Sequence, residues 1–496
     1  MKRKLSTLMA GALLVTSMGI TGCGGGGSSK TIRWIQMGDK QPRAEEVLAK
    51  ANEIIEPELG MKLEIEYIDS ASFSEKARNM MAAGDEFDII WTGYLNDYQA
   101  AVTLGGLTDI TEYIDNIKMS DGTTAKMSDV VEEYILDAAY VDGAIYGIPN
   151  TQVVSNPFSL KIRKSVADEC GIDVQGLEAA GLAVKDAASA KAYMDKLSAE
   201  FSKLHSKRPD LNTINPGTNM ATVGVYEEIV KGVGIRKDGT SNEIVNLRET
   251  EEWQIGVDAA RSWYENGYIR KDIASKGNAL VSIDEEKQYG FTQTTWKPGQ
   301  EIIDASEMGE EVVFPLVDQA YVSRTNPLAT MLSVGGNSKN PEEAVKLIYM
   351  LNSNKELYNL LCWGIEGTDY TVNSDGTITE IADSGYDDVG HSAWKYGNQF
   401  NSLLIEGQEA DVWEQTKKMN DEAVKSPVMG FVPNTSTITT ELSNITNVVA
   451  EYKAKEEFGT VARDEYWDEF MGKLKTAGID KVRDEIQKQY DEFSAK

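Results

Sequence analysis

Phe87-Asp88-Ile89-Ile90-Trp91 reads as a strand covered on both faces, because a nearly continuous apolar run leaves no side for water. Working back from it, Ser72 to Ala83 has a helical pattern and ends at Gly84. Met61 to Ile68 alternates Leu63, Ile65 and Tyr67, the pattern of a second strand. Before that, Arg43 to Glu56 puts Ala44, Val47, Leu48, Ala51 and Ile54 on one helical face, with Pro57 expected to stop it. Lys30 to Met37 is a first strand, closing in Gly38-Asp39-Lys40. Strand, helix, strand, helix, strand is the order of a parallel sheet with crossovers. Ligands of such sheets bind beyond the carboxyl ends of the strands. That rule points at Gly38-Asp39 and at Trp91-Thr92-Gly93-Tyr94.

The rest of the composition narrows the function class. The 496 residues allow more than one domain, and the net charge of −30 repels nucleic acid, so no nucleic-acid partner is expected. Only two histidines, His205 and His391, are present, which removes most zinc sites and most triad chemistry; no metal and no cofactor is expected. A G-x-S-x-G elbow is absent, and the glycine-threonine clusters at 122–124 and 239–241 lack the lysine of a phosphate loop. Asn373-Ser374-Asp375-Gly376-Thr377 fails as a calcium loop, since Thr371 and Ala382 fall where acidic ligands belong; it reads as a hairpin turn. Besides Cys23 there are two cysteines, Cys170 and Cys362, both in apolar helical contexts and expected as buried free thiols.

The N-terminal stretch is of another kind. Met1-Lys2-Arg3-Lys4 precedes an apolar run to Ile20 that is too short to span a membrane, so residues 1–22 read as a secretory signal. Ile20-Thr21-Gly22-Cys23 resembles the bacterial lipobox, in which the cysteine is acylated and becomes the new N-terminus. Gly24 to Ser29 then forms a flexible tether, so residues 23–30 attach the folded chain to the extracytoplasmic face of the cell membrane through Cys23.

Several segments taken together resemble the extracellular solute-binding proteins of ABC importers, the family that includes maltodextrin-binding proteins. Ala83-Gly84-Asp85-Glu86-Phe87-Asp88-Ile89-Ile90 is similar to that family's AGD-x-x-D-I segment, and Leu107-Thr108-Asp109-Ile110 with Tyr113-Ile114-Asp115 to its L-x-D-L…I-D turn. Asp142-Gly143-Ala144-Ile145-Tyr146-Gly147-Ile148-Pro149 matches its DGK-x-Y-G-I-P hairpin with Ala144 for the usual lysine. Trp363-Gly364-Ile365-Glu366-Gly367, Gly397-Asn398-Gln399-Phe400 and Ser426-Pro427-Val428-Met429-Gly430-Phe431 resemble a large-lipoprotein subgroup with a C-terminal domain of uncharacterised function.

The resemblance implies an α/β, type II periplasmic-binding-protein-like fold of two lobes. Each lobe would be a mostly parallel sheet flanked by helices, and crossover hinge strands would join them. Lobe 1 is expected over 31–152 and 326–366, and lobe 2 over 153–325 and 367–496 with the C-terminal helices around it. Gln152 to Ile162 would carry the chain out and Leu328 to Gly335 would bring it back. Within lobe 2, Glu227 to Gly234 and Thr250 to Asn266 read as helices. Asn340-Pro341 is expected to open an N-capped helix over Glu342 to Leu351.

The resemblance further implies a monomer that captures a small molecule between the lobes and delivers it to ABC permease subunits, with no reaction of its own. An oligosaccharide or sugar derivative fits the aromatic content. Alternatives are a peptide or amino-acid-derived ligand, a cell-surface carbohydrate-processing enzyme, or a sensory or adhesive lipoprotein. A sugar site needs flat aromatics against C–H faces and planar polar groups for hydroxyls. Trp91, Tyr94, Trp296, Trp363, Tyr370 and Trp394 fall at strand ends or in loops and are the candidate aromatics. Asp39, Glu366, Asp369 and Asn398 are the polar candidates.

Overall fold

The computed structural model describes residues 30–155, 157–278, 282–386 and 390–495. The leader, Cys23 and the tether lie outside the described residues.

The chain begins with β1 (Lys30–Met37), β2 (Met61–Ile68) and β3 (Ile89–Gly93), linked by helices Ala44–Leu59 and Ser70–Ala83. β1 pairs in parallel with both, setting Trp34 opposite Ile65 and Ile89. All five residues of β3 are buried, as the apolar run requires, and Ile89 and Ile90 have no exposed surface. Burying each such side chain contributes about 1.5–3 kcal/mol. The first helix does not stop at Pro57 but continues through it to Leu59. Proline's fixed φ suits a helix, and so near the C-terminus only one backbone bond is lost. Gly60, at φ +67°, ends the helix by donating its N–H to Glu56 O at 2.8 Å.

After the Asp142-Gly143 turn comes β4 (Gly147–Pro149), and the chain then leaves the first sheet. The expected hinge strand is irregular until β5 (Phe158–Arg163), because ladder partners become available only once the chain reaches the second lobe. There follow β6 (Asn212–Asn215), β7 (Tyr226–Val230), β8 (Val233–Arg236), β9 (Val245–Asn246), β10 (Tyr289–Thr295) and β11 (Val312–Val313), before β12 (Thr330–Val334) returns to lobe 1. The first sheet has the order β2-β1-β3-β12-β4, and the second β6-β10-β5-β11.

Both sheets are mixed rather than mostly parallel. β12 runs antiparallel to β3 and β4, and β5 antiparallel to β10 and β11. β12 and β5 are the strands that arrive from the other lobe, so they enter against the direction of their neighbours. The two-lobed α/β type II architecture is otherwise as expected.

Three large apolar cores result among the described residues. The first surrounds Trp34, Ile90 and Leu332, and the second surrounds Leu160, Phe201 and Phe291. Cys362 lies in the first and Cys170 in the second, both as buried free thiols. Burial pushes both thiols above the ordinary range. The third core corrects the helix expected over Glu227 to Gly234. That stretch is the antiparallel hairpin β7–β8, whose Ile229, Val233 and Ile235 face inward against the C-terminal helices Thr439–Glu456, Arg463–Ala477 and Ile479–Ser494.

The chain from 367 onward does not all join lobe 2. The Asp-Gly hairpin Tyr370–Val372 with Ile378–Glu380 forms as read, but Tyr370, Ile378, Tyr386, Ala393 and Tyr396 complete the first core. Helix Lys355–Trp363 delivers this segment onto lobe 1, and no crossing intervenes. Asn340 precedes helix Pro341–Ser353 without capping it by its side chain; its amide donates to Asp88 Oδ1 at 3.1 Å instead.

The hinge has its own small core of Val154, Val322 and Ala423. Asn420 Oδ1 accepts from Val154 N at 3.0 Å and Ser155 Oγ at 2.8 Å, tying helix Val412–Glu422 to the outgoing crossing. The buried Glu227 accepts from Tyr321 Oη (2.6 Å), Ser426 Oγ (2.5 Å) and Arg324 N (2.9 Å), tying the returning crossing to β7. No helix among the described residues is long and apolar enough to cross a membrane.

Candidate functional site

A cavity of about 470 Å³ opens where the carboxyl ends of β3 and β10 meet across the hinge. That size lies within the roughly 300–1,000 Å³ usual for small-molecule sites. Lobe 1 contributes an aromatic wall. Tyr94, just past β3, is 63% exposed, and its ring lies 6.0 Å from that of Trp394. Trp91 sits beneath both, fully buried, edge-on to Tyr94 at 5.5 Å and to Trp394 at 6.3 Å. Its Nε1 donates to Thr330 Oγ1 at 2.8 Å, so the buried indole is satisfied and fixed.

Gly93 makes this turn possible. Its φ is +155°, and a Cβ there would lie 2.2 Å from the Ala329 carbonyl oxygen, which accepts from Tyr94 N at 3.1 Å. β3 and the returning chain therefore touch at the base of the cavity.

Lobe 2 supplies the opposite wall. Trp296 follows β10, with its backbone N–H bonded to Pro157 O at 2.9 Å and its Nε1 donating to Glu301 Oε1 at 2.6 Å. Lys297 and Gln300 come next, at the start of helix Gln300–Met308. The hinge adds Gln152 and Gln399; Gln399 N donates to Thr151 O at 2.8 Å, which ties the turn at Gln399–Asn401 to the outgoing crossing. Desolvation raises the Tyr94 hydroxyl above the usual tyrosine range and pushes the Lys297 ammonium down to about 8, against the opposing pull of Asp304. Among the described residues, no group of three or more His, Cys, Asp or Glu is placed to hold a metal ion.

Of the ten residues singled out from sequence, Tyr94, Trp296 and Trp394 line the cavity and Trp91 supports it from below. The others are elsewhere. Trp363 is packed in the first core, its Nε1 donating to Ser402 Oγ at 2.9 Å. Asp369 is 1% exposed, ion-paired with Arg43 and accepting from Ile365 N at 2.7 Å. Tyr370 lies on the hairpin against the same core, and Glu366 is on the outer surface. Asp39 is exposed past the end of β1 without lining the cavity. Asn398 caps a short turn by accepting from Phe400 N at 3.0 Å and faces a separate depression. The sequence reading missed Gln152, Lys297, Gln300 and Gln399. Only Lys297 carried a usable signal, its place beside Trp296 at a strand end.

Three kinds of comparison place this geometry among known proteins. A family model described as "Domain of unknown function (DUF3502)" matches residues 427–495, the segment that closes the third core. A carbohydrate ABC transporter substrate-binding protein of Streptococcus pneumoniae serotype 4 is 26% identical over 487 residues, covering 94% of this chain and 91% of the relative. The crystal structure of the N-glycan transport solute binding protein NgtS from S. pneumoniae superimposes with a TM-score of 0.80 at 24% identity, covering 94% of this chain and 99% of that one. The alginate-binding protein AlgQ2 superimposes at 0.59 with 17% identity, covering 94% and 99% respectively. The chain is thus similar in sequence to a carbohydrate ABC transporter substrate-binding protein, shares the two-lobed fold of solved solute-binding proteins, and matches the DUF3502 model at residues 427–495.

Proposed function

We propose that this chain is the lipid-anchored substrate-binding subunit of an ABC importer, and that it captures an oligosaccharide or sugar derivative between its lobes. The observation that carries the reading is the cavity itself. Tyr94 and Trp394 on one lobe oppose Trp296 on the other, with the amides of Gln152, Gln300 and Gln399 between them. Flat rings match the C–H faces of a pyranose, and planar amides match its hydroxyl pairs. The pneumococcal relative's description as a carbohydrate carrier supports the same reading, as do NgtS complexes with Man1GlcNAc and Man5GlcNAc. Closing the lobes over a bound sugar would bury both aromatic walls, and the closed population would be the one offered to a permease. The reading assigns no reaction to this chain.

The test is a thermal-shift screen of the chain from Ser29 onward against oligosaccharides, peptides and polyols. A ligand at a hundred times its Kd adds about 2.7 kcal/mol of stability. The expected result is a shift with an oligosaccharide that is recovered intact. Recovery of cleaved sugar, or a response to peptides alone, would overturn the reading. The anchor has a separate test: cells making Cys23→Ser should release the protein into the medium, and retention equal to wild type would refute acylation at Cys23.

A further inference from the structure

The charges around the cavity are unusual for so acidic a chain. Its sequence carries 79 aspartates and glutamates against 49 lysines and arginines, yet among the described residues lining the cavity there is no carboxylate. The one charged side chain on the lining is Lys297. Nearby carboxylates are all committed elsewhere. Glu301 accepts from Trp296 Nε1 at 2.6 Å. Asp304, 6% exposed, lies 3.0 Å from Lys161 Nζ and accepts from Gln300 Nε2 at 2.7 Å. Glu286 holds the other side of Lys161 at 2.7 Å. Lys161 therefore has two anionic partners, and Lys297 has none within ion-pair distance among the described residues. Its ammonium lies 5.5 Å from the centroid of the Trp413 ring.

A half-enclosed cation without a counter-ion is costly, and an incoming anion relieves that cost. We propose that the sugar taken up by this cleft is acidic, and that its anionic substituent, a carboxylate or a sulfate ester, pairs with Lys297. The proposal rests on the reading of the cleft as a sugar site. Desolvation that depresses Lys297 in the free protein has a consequence once the anion is present. Binding raises the ammonium's pKa again, so a proton is taken up with ligand above pH 8. The groups near Lys297 are Asp304 on the helix that follows it, the uncharged Trp413 on helix Val412–Glu422, and Tyr94 across the cavity, whose hydroxyl is raised above the usual range by desolvation. Affinity for an acidic sugar should therefore be level at neutral pH and fall by up to about tenfold per pH unit above 8.

The experiment is a glycan array bearing neutral, uronate-, sialic-acid- and sulfate-substituted oligosaccharides, followed by titration of bound members with their neutral counterparts. Acidic members are expected to bind at least about tenfold tighter, and the carboxylate and sulfate arms separate the two sources of charge. Lys297→Gln should erase the preference at an unchanged melting temperature. Lys297→Arg should keep it at pH 9.5, where the wild type has lost it. Equal or tighter binding of neutral sugars, or a preference that survives Lys297→Gln, would sink this proposal and leave the sugar reading standing. Binding to no glycan on the array would end both.

Discussion

Replacing Glu456 by alanine is expected to destabilise the protein by about 3–5 kcal/mol, the cost of leaving a buried cation without its partner. Glu456 and Arg248 are 2% and 3% exposed at their side chains, with Arg248 Nε 3.0 Å from Glu456 Oε1. The contact is a charge pair rather than a good hydrogen bond at that atom, since Arg248 Nε and Nη1 find no well-aligned acceptor. Glu456 Oε1 also accepts from Trp253 Nε1 at 2.5 Å, and the guanidinium lies 4.5 Å from the Trp253 ring centroid. Burial outweighs the attraction of Arg248 and holds the Glu456 carboxyl above the usual range. The folded state thus gains stability from Glu456 at low pH and loses it as pH rises through the raised value. Arg248→Met combined with Glu456→Leu should recover most of the loss, because neither charge then remains to be desolvated. Urea unfolding of the two variants decides the matter. A loss below about 1 kcal/mol for Glu456→Ala would mean that Arg248 reaches water when its partner is gone.

Trp394→Ala should weaken oligosaccharide binding by about 30-fold, roughly 2 kcal/mol, combining lost apolar contact with lost stacking. The ring is half-exposed at the cavity wall, edge-on to Trp91 and tilted against Tyr94, so stability should change less than at a fully buried tryptophan. Trp363→Ala makes the opposite case. That ring is 6% exposed in the first core, and its removal should cost about 3–5 kcal/mol of stability with Kd unchanged. Calorimetric titration alongside thermal unfolding separates the two. A Kd for Trp394→Ala within threefold of wild type would show that ligand does not rest on this wall.

What could be read beforehand followed from periodicity. Phe87 to Trp91 has no polar side except Asp88, so a doubly covered strand was its natural outcome, and the alternation of Leu63, Ile65 and Tyr67 similarly identified a strand. Tyr226 to Arg236 was harder. Glu227 and Glu228 stand side by side and look like one solvated helical face, but Glu227 is buried against Tyr321, Ser426 and Arg324, three residues far along the chain. No local pattern records such a partner. The site divides in the same way. Aromatics at strand ends were visible, but Trp363 ends a helix whose inner face is core, and in a one-dimensional pattern that position resembles a loop aromatic. Gln152, Gln300 and Gln399 come from three separate crossings and helices, and their convergence exists only once the hinge has formed.

The third core has a temporal meaning as well as a spatial one. Its hairpin at 226–236 buries Ile229, Val233 and Ile235 against helices that follow residue 438, and Arg248 waits 208 residues for Glu456. A chain made from its N-terminus must hold that apolar hairpin uncovered while about the next two hundred residues are added. Contacts of such long sequence separation close slowly, and surfaces exposed in the meantime invite aggregation or capture by chaperones. Lobe 1 faces a milder form of the same delay, since β12 and the 370–396 segment also arrive late. A frameshift near residue 430 therefore removes more than three helices: it strips the cover from a hairpin laid down two hundred residues earlier, on the lobe that holds Trp296 and Lys297.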